Sequence, residues 1–521
     1  MLRAADRQHG FFDAAWCADL LPADSFYVLL AEHGERIVRD EDFADCYSET
    51  HGRPSIPPSL LSKVLLLAFR EGLSDERAMQ AVRFDLRWKV ALDLAIDHPG
   101  FHPTSLVRFR ARLLLHGKER LVFEQSIELA TELGLLDGPA EQIVDSTPML
   151  GAAAVQDTAV LVRSAVGKLI DAVAAADIRA AGELRDTLRF AYARPREKPA
   201  GDWAERGSRM QLLGEVARDA QRALHAVQAH GELADDEHVA EAARVLGEII
   251  GQEYDVDDEE DPRPRGGRRI RQIVSGLDPE MRHGRQTPGR RFTGYKLHAA
   301  VAADVPIVTA ISVAPANEHD GHHAGALVDQ QPEKRRPERV IGDTAYGNSE
   351  VLEDLAQRSI GVLAPVHSSS PKNATIPKDA FTIDLASDTV TCPEGHTTPI
   401  YKPRANRRTT GGERVARFAR ADCEPCPLRQ RCAPGGQRDI RIRRREDLRQ
   451  AALQALSDPA EREHLKRTRP RIERLLGLIV HRYHARKSRY VGARKSELQA
   501  VWTAVLVNLH PIAGALRTQT A

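Results

Sequence analysis

The chain has little with which to cross a membrane. No apolar run in its 521 residues reaches the roughly 20 positions of a bilayer-spanning helix. The opening stretch MLRAADRQHGFFDAAW lacks an apolar h-region, so no secretion signal is evident and a cytoplasmic location without membrane contact is expected. Net charge is absent too, 74 Lys and Arg balancing 74 Asp and Glu. No internal repeat of about 20 to 50 residues appears, which sets solenoids and propellers aside. Cysteine is sparse, six in all. What is present is size: at 521 residues the chain exceeds one ordinary core, so several domains or large insertions are expected. Composition, 42% hydrophobic and 28% charged, is that of a globular protein.

The zero net charge hides an uneven distribution. From Arg462 to Lys495 there are twelve Lys or Arg against two acids, Glu463 and Glu473, whereas DVDDEED at 255–261 is acidic. A basic stretch can be only a solvated face, but this density favours a polyanionic partner.

Residues 1–135 read as helical. Leu60, Leu61, Val64, Leu65 and Ala68 recur at helical spacing after Pro57 and Pro58, Gly72 ends that helix, and Ser74 can cap the next. This is a helix-turn-helix layout, read either as a helical packing domain or as a DNA-recognition domain. A further helix is expected after Thr104 and Ser105, bearing Arg108, Arg110, Arg112 and Lys118. AEQIVDSTPML then reads as a strand carrying Asp145, and 151 to about 251 is again helical. The acidic block and DPRPRGGRR form a joint. FTGYKLHAAVAAD and PIVTAISVAPANEHD read as a hairpin turning at Asp304-Val305-Pro306, followed by a strand in RPERVIGDTAYG, a helix in NSEVLEDLAQRS and a strand in IGVLAPV. In the basic tail Ile472, Leu475, Leu476 and Ile479 form an apolar helical stripe, with Pro470 at its first turn or at a kink.

Two strands thus each deliver an acid, Asp145 after QIV and Asp343 after VIG. Were they sheet neighbours, their carboxylates would lie about 5 Å apart and repel, unless divalent cations with hard oxygen preferences sat between them. Glu473, on a helix able to dock on the sheet, is the candidate third ligand.

These residues resemble the DDE transposases of bacterial insertion sequences. The resemblance rests on IVDSTP, GLDPEMRHGRQTPGRRFTGYKLH, ANEHD, VIGDTAYGN, RTRPRIERLLG and HARKSRYVGARKSELQAVWTAVLVNL, in that order. It implies an α/β fold, α+β overall: a ribonuclease-H-like mixed-sheet core with an N-terminal all-α domain, an all-α insertion and a Cys-containing basic insertion. The expected segments are 1–135 for the helical DNA-binding domain, 136–150 for the first core strand and 151–285 for the helical insertion and linker. The core continues over 286–367, the Cys-rich insertion over 368–457, and the catalytic helix and tail over 458–521. By the resemblance Asp145, Asp343 and Glu473 form the catalytic triad and hold Mg²⁺ or Mn²⁺. Arg469 matches an Arg of related members, while Val480 and Lys466 stand where those members carry Lys and Tyr. Double-stranded DNA, both element ends and target, is the implied partner, and joining two ends implies a homo-oligomer. Lys296, Arg469, Arg474, Arg482, Arg486 and Lys487 are candidates to neutralise phosphates. A nuclease or resolvase on the same fold, and a non-catalytic DNA-binding descendant, are the alternatives.

Cys392, Cys423, Cys426 and Cys432 form a second constellation, with one C-x-x-C pair. Four thiolates in a polar, core-poor insertion suit a structural Zn²⁺, with His396 able to replace one; unligated or redox-active thiols are the other reading. Cys17 and Cys46 read as small apolar residues. His319, His322 and His323 in NEHDGHH read as polar loop residues.

Overall fold

The computed structural model describes residues 1–3, 13–48, 54–136, 141–255, 262–265, 271–287, 289–366, 374–402 and 414–520. The acidic block, apart from Asp255, and most of the Arg-rich joint after it lie outside these residues.

Among the described residues the N-terminal part holds six α-helices, α1 (Phe26–Ile37), α2 (Pro58–Glu71), α3 (Asp75–Phe84), α4 (Leu86–Leu92), α5 (Thr104–Leu115) and α6 (Leu121–Glu132), with 3-10 turns over Ala14–Leu20 and Asp40–Cys46. Pro58 occupies the first turn of α2, where its missing N–H costs nothing, and Gly72 closes the helix at φ 68°. The Ser74 side chain then accepts from the Arg77 N–H to start α3. Next come β1 (Glu141–Leu150) and an insertion of α7 (Thr158–Ala176), α8 (Ile178–Thr187), α9 (Arg206–Ala229), α10 (Gly231–Ala234) and α11 (Glu237–Glu253). The insertion has its own apolar cluster, centred on Val162, Leu169, Ala217 and Leu246, and ends in a short ladder of β2 (Tyr254–Asp255) with β3 (Arg263–Pro264).

The central sheet is built around β1. It continues with β4 (Arg282–Thr287), β5 (Arg290–Ala302), β6 (Val308–Pro315), then α12 (Ala324–Asp329), β7 (Arg339–Ile341), α13 (Ser349–Gln357) and β8 (Gly361–Leu363). The order across the sheet is β6-β5-β1-β7-β8, with β4 also paired to β5. β1, β7 and β8 run parallel, while β5 is antiparallel to β1 and to β6. This is a ribonuclease-H-like core. β4 was not expected as a strand: RHGRQT lacks apolar alternation, and it pairs only because the start of β5 extends past its other neighbours.

Gly294 shows how tightly β1 and β5 approach. Its φ is 142°, and a Cβ there would lie 2.2 Å from the Gly151 nitrogen and 2.4 Å from the Met149 oxygen.

Beyond the sheet lies a second, five-stranded antiparallel meander of β9 (Thr382–Asp384), β10 (Thr389–Thr391), β11 (Thr397–Tyr401), β12 (Arg414–Arg417) and β13 (Asp439–Ile442). Two short helices, α14 (Arg420–Cys423) and α15 (Arg429–Cys432), sit before β13. The chain closes with α16 (Glu446–Ser457), α17 (Pro459–Thr468), α18 (Pro470–Gly477), a π-helical turn over Leu478–Arg482, and α19 (Ala493–Thr520).

One apolar cluster runs unbroken from the N-terminal helices through one sheet face (Ile143, Leu297, Ala299, Ile341) to Ile472, Leu475, Leu476 and Ile479, and on to α19. The opposite face, Val144, Ala300 and Val340, packs against α12 and α13. α19 is long and apolar enough to cross a membrane by length and composition, a stretch the sequence reading passed over. In the fold 78% of its most apolar window is buried, and Asn508 bonds both backbone groups of Val308 on β6, at 2.8 and 2.9 Å.

Candidate active site

The pairing of β1 with β7 decides where two acids go. Ile143 stands beside Ile341 in parallel register, so Asp145 and Asp343 each lie two residues past the same rung. β7 stops at Ile341 while β1 runs on to Leu150, so Asp343 lies just past the end of its strand and Asp145 within its own, on the stretch that β7 leaves uncovered. The Asp343 carboxylate accepts from the Ala345 N–H at 2.8 Å, which fixes the tight loop after β7. The Tyr346 ring packs beneath it against Gly342, where a Cβ would come within 2.6 Å of the ring.

Glu473 is brought in by α18. Pro470 starts that helix, and Ile472, Leu475 and Leu476 bury its apolar stripe against the sheet, leaving Glu473 on the exposed side. Arg339 anchors the preceding helix: it pairs with Glu461 of α17 at 2.9 Å and with Glu141 at the start of β1. The result is one cleft of about 390 Å³ lined by Asp145, Asp343 and Glu473 together.

The same cleft holds two further residues that sequence reasoning missed, Asp320 and Arg285. Asp320 lies in ANEHD, a stretch singled out for its family likeness and its histidines; the acid that ends it was the overlooked signal. Among the histidines, His319 caps the Gly321 N–H, and His323 stacks on the fully buried His298 with ring centres 4.0 Å apart.

Burial pushes the Asp145 carboxyl up to about 6, with the neighbouring charges of Asp343 and Asp320 adding to the rise; the Ser146 N–H and Arg469 oppose it. Cations already pair with two of the acids. Lys296 donates to Asp320 at 2.7 Å and to the Glu318 carbonyl at 2.9 Å, and Arg469 lies 3.6 Å from Glu473. Among the described residues, no three His, Cys, Asp or Glu side chains are already gathered into a group that could hold a metal ion. The cleft's donors are nonetheless carboxylate oxygens on separate elements, the type that hard divalent cations take.

Of the six expected phosphate-binding cations, Lys296, Arg469 and Arg486 line the cleft; Arg474, Arg482 and Lys487 do not. Arg486 reaches it because its backbone carbonyl accepts from Leu150 at 2.8 Å, extending the end of β1. Val480 lines the cleft as an apolar wall, and Lys466 stays outside it.

The four cysteines of the insertion come from three separate places, the turn after β10, α14 with its following loop, and α15, yet all border one small cavity of about 20 Å³ with His396. None is in a disulfide. Burial raises the Cys423 and Cys432 thiols, and the charges of the other cysteines raise them further. Cys392 sits in a tight turn, its N–H donating to the His396 carbonyl at 2.8 Å, with Gly395 at φ 87°. Cys46 is buried and Cys17 half-buried.

The family of transposase DDE domains matches residues 391–513, a span that contains the four cysteines and Glu473. A second family, the transposase domain DUF772, matches residues 16–112 in the N-terminal helices. In these two segments the chain is similar to transposases, over 391–513 to their DDE domain. Both matches lie outside the segments that carry Asp145 and Asp343, which the strand pairing described above brings to the same cleft as Glu473. No curated protein and no solved structure matches the chain.

Proposed function

We propose that this transposase cuts DNA at the ends of an insertion sequence and joins the freed ends to target DNA, using Asp145, Asp343 and Glu473 to hold Mg²⁺ or Mn²⁺. The observation that carries the reading is the convergence of these acids, nearly 200 and 130 positions apart in sequence, on one cleft. Bound there, divalent cations supply Lewis-acid activation of water or a 3′-hydroxyl and stabilise the leaving oxygen. The protein's own part is positional. Asp343 is held by the Ala345 N–H, Asp145 is ionised near neutral pH despite the burial that raises its carboxyl to about 6, and Glu473 presents its carboxylate from a helix whose other face is locked in the core.

Lys296, Arg469 and Arg486 meet phosphates at the cleft, and Arg474, Arg482 and Lys487 extend the basic surface outside it, so binding weakens as salt rises. The N-terminal helices contribute further DNA contacts. A homo-oligomer follows from the need to handle two element ends at once. In the insertion, Cys392, Cys423, Cys426 and Cys432 take a structural Zn²⁺ once their side chains close on it; their convergence on one cavity supports this.

The test uses full-length protein, Mg²⁺ and a plasmid carrying the chain's own element with its flanks. Wild type cuts and joins ends, while Asp343→Ala retains DNA binding and loses cleavage by on the order of a thousandfold. Equal cleavage by Asp343→Ala overturns the reading. Cutting without joining of pre-cut ends would make the chain a nuclease.

A further inference from the structure

Lys296 sits on β5 at the rung of Pro148 of β1 and of Ala314 of β6, and it lines the cleft. Only 12% of its side chain is exposed, and its ammonium is held by Asp320 and by the Glu318 carbonyl. Asp320 is reached through the short turn after β6 and lines the cleft beside the three acids. As the cleft stands, therefore, Lys296 neutralises an acid of the protein instead of a phosphate.

From this geometry we propose that Asp320 is a fourth acid of the cation site and that Lys296 is its exchangeable counter-ion: when the acids turn to a divalent cation, Lys296 is released to a DNA phosphate. Metal and DNA then bind with positive linkage, each favouring the state the other needs. The pair is largely buried, so Lys296 leaves Asp320 only when a divalent cation takes over the carboxylate, and a charge-assisted phosphate contact then receives the freed ammonium. Arg469 and Glu473 repeat the pattern more loosely, at 3.6 Å. The inference rests on the metal-dependent DNA reading above and assigns to it a residue outside the triad.

The test is a binding cycle on full-length protein with a mixed-sequence DNA duplex, in chelator and in Ca²⁺, read by fluorescence anisotropy. Lys296→Met is expected to cost less than about twofold in chelator and about fivefold in Ca²⁺, the worth of one phosphate contact. In an Asp320→Asn background, where Lys296 is already free, the same substitution costs about fivefold in both conditions. Asp320→Asn alone lowers the affinity for Ca²⁺ measured calorimetrically without DNA. An equal cost of Lys296→Met with and without Ca²⁺, or unchanged Ca²⁺ affinity in Asp320→Asn, overturns the inference while leaving the triad untouched. Wild type that binds no duplex under either condition overturns the DNA reading itself, and this inference with it.

Discussion

The acid cleft and the cysteine module solve the same problem, gathering polar side chains from distant segments, by opposite means. The cleft is mounted on a large core: Ile472, Leu475 and Leu476 under Glu473, and Ile143 and Ile341 next to the two Asp, belong to a cluster that continues into α19 and the N-terminal helices. The cysteine module has a small cluster of its own, among them Phe381, Val390, Phe418 and Ile440, with Cys392, Cys423 and Cys432 packed at its edge. Where apolar burial is plentiful, charged groups can be held near one another at a cost, and the carboxyl of Asp145 is raised first by that burial and then by its acidic neighbours. Where it is scarce, the polar groups must hold the fold themselves, and thiolates on a metal do so most strongly.

The comparison breaks most visibly at the module. Changing Cys423 and Cys426 together to Ser is expected to abolish zinc retention, worth on the order of 10 kcal/mol. Residues 374–443 should then open to limited proteolysis while the central sheet stays resistant. Zinc content by atomic absorption and a fragment map check both halves; an intact module with four free thiols would remove the contrast.

On the cleft side, Ile472→Ala empties a fully buried position one residue before Glu473 and is expected to cost about 3 kcal/mol. Cleavage should fall more than DNA binding, because Glu473 loses the packing that aims its helix. A nearly unchanged cleavage rate would mean that Glu473 is placed by other contacts.

Asp145→Asn sharpens the comparison with a smaller effect of opposite sign. The folded carboxyl titrates near 6 instead of the ordinary 3.8, so ionisation opposes folding; the penalty is absent below about pH 4 and complete above about pH 6. Removing the charge should stabilise the metal-free protein at pH 7 by about 2 kcal/mol and have no such effect at pH 4, while cleavage is lost. Thermal unfolding at the two pH values decides it.

Much of the fold was legible from local pattern. The stripe of Ile472, Leu475, Leu476 and Ile479 marked a docked helix, and the Asp304-Val305-Pro306 turn marked the β5-β6 hairpin, because periodicity and turn chemistry act over a few residues. β4 was not legible, since its pairing depends on the overhang of β5, and α19 was not recognised as a long buried helix. At the cleft, Asp145 and Asp343 could be named because each follows a short apolar run, and Glu473 because it interrupts a basic stretch on an apolar-striped helix. Asp320 was overlooked although ANEHD ends in it, because only the packing of its turn brings that acid to the lining of the cleft.

By itself, then, the sequence determined which elements form, which faces are apolar and which acids and thiols are available, all properties of neighbouring residues. Only the tertiary structure decided that β1 lies beside β7 in a register that aligns two acids, that Lys296 faces Asp320, and that three stretches of cysteine border one cavity. Those outcomes depend on how separate elements pack across long stretches of chain, where the winning arrangement is set by the burial of the whole core rather than by any local signal.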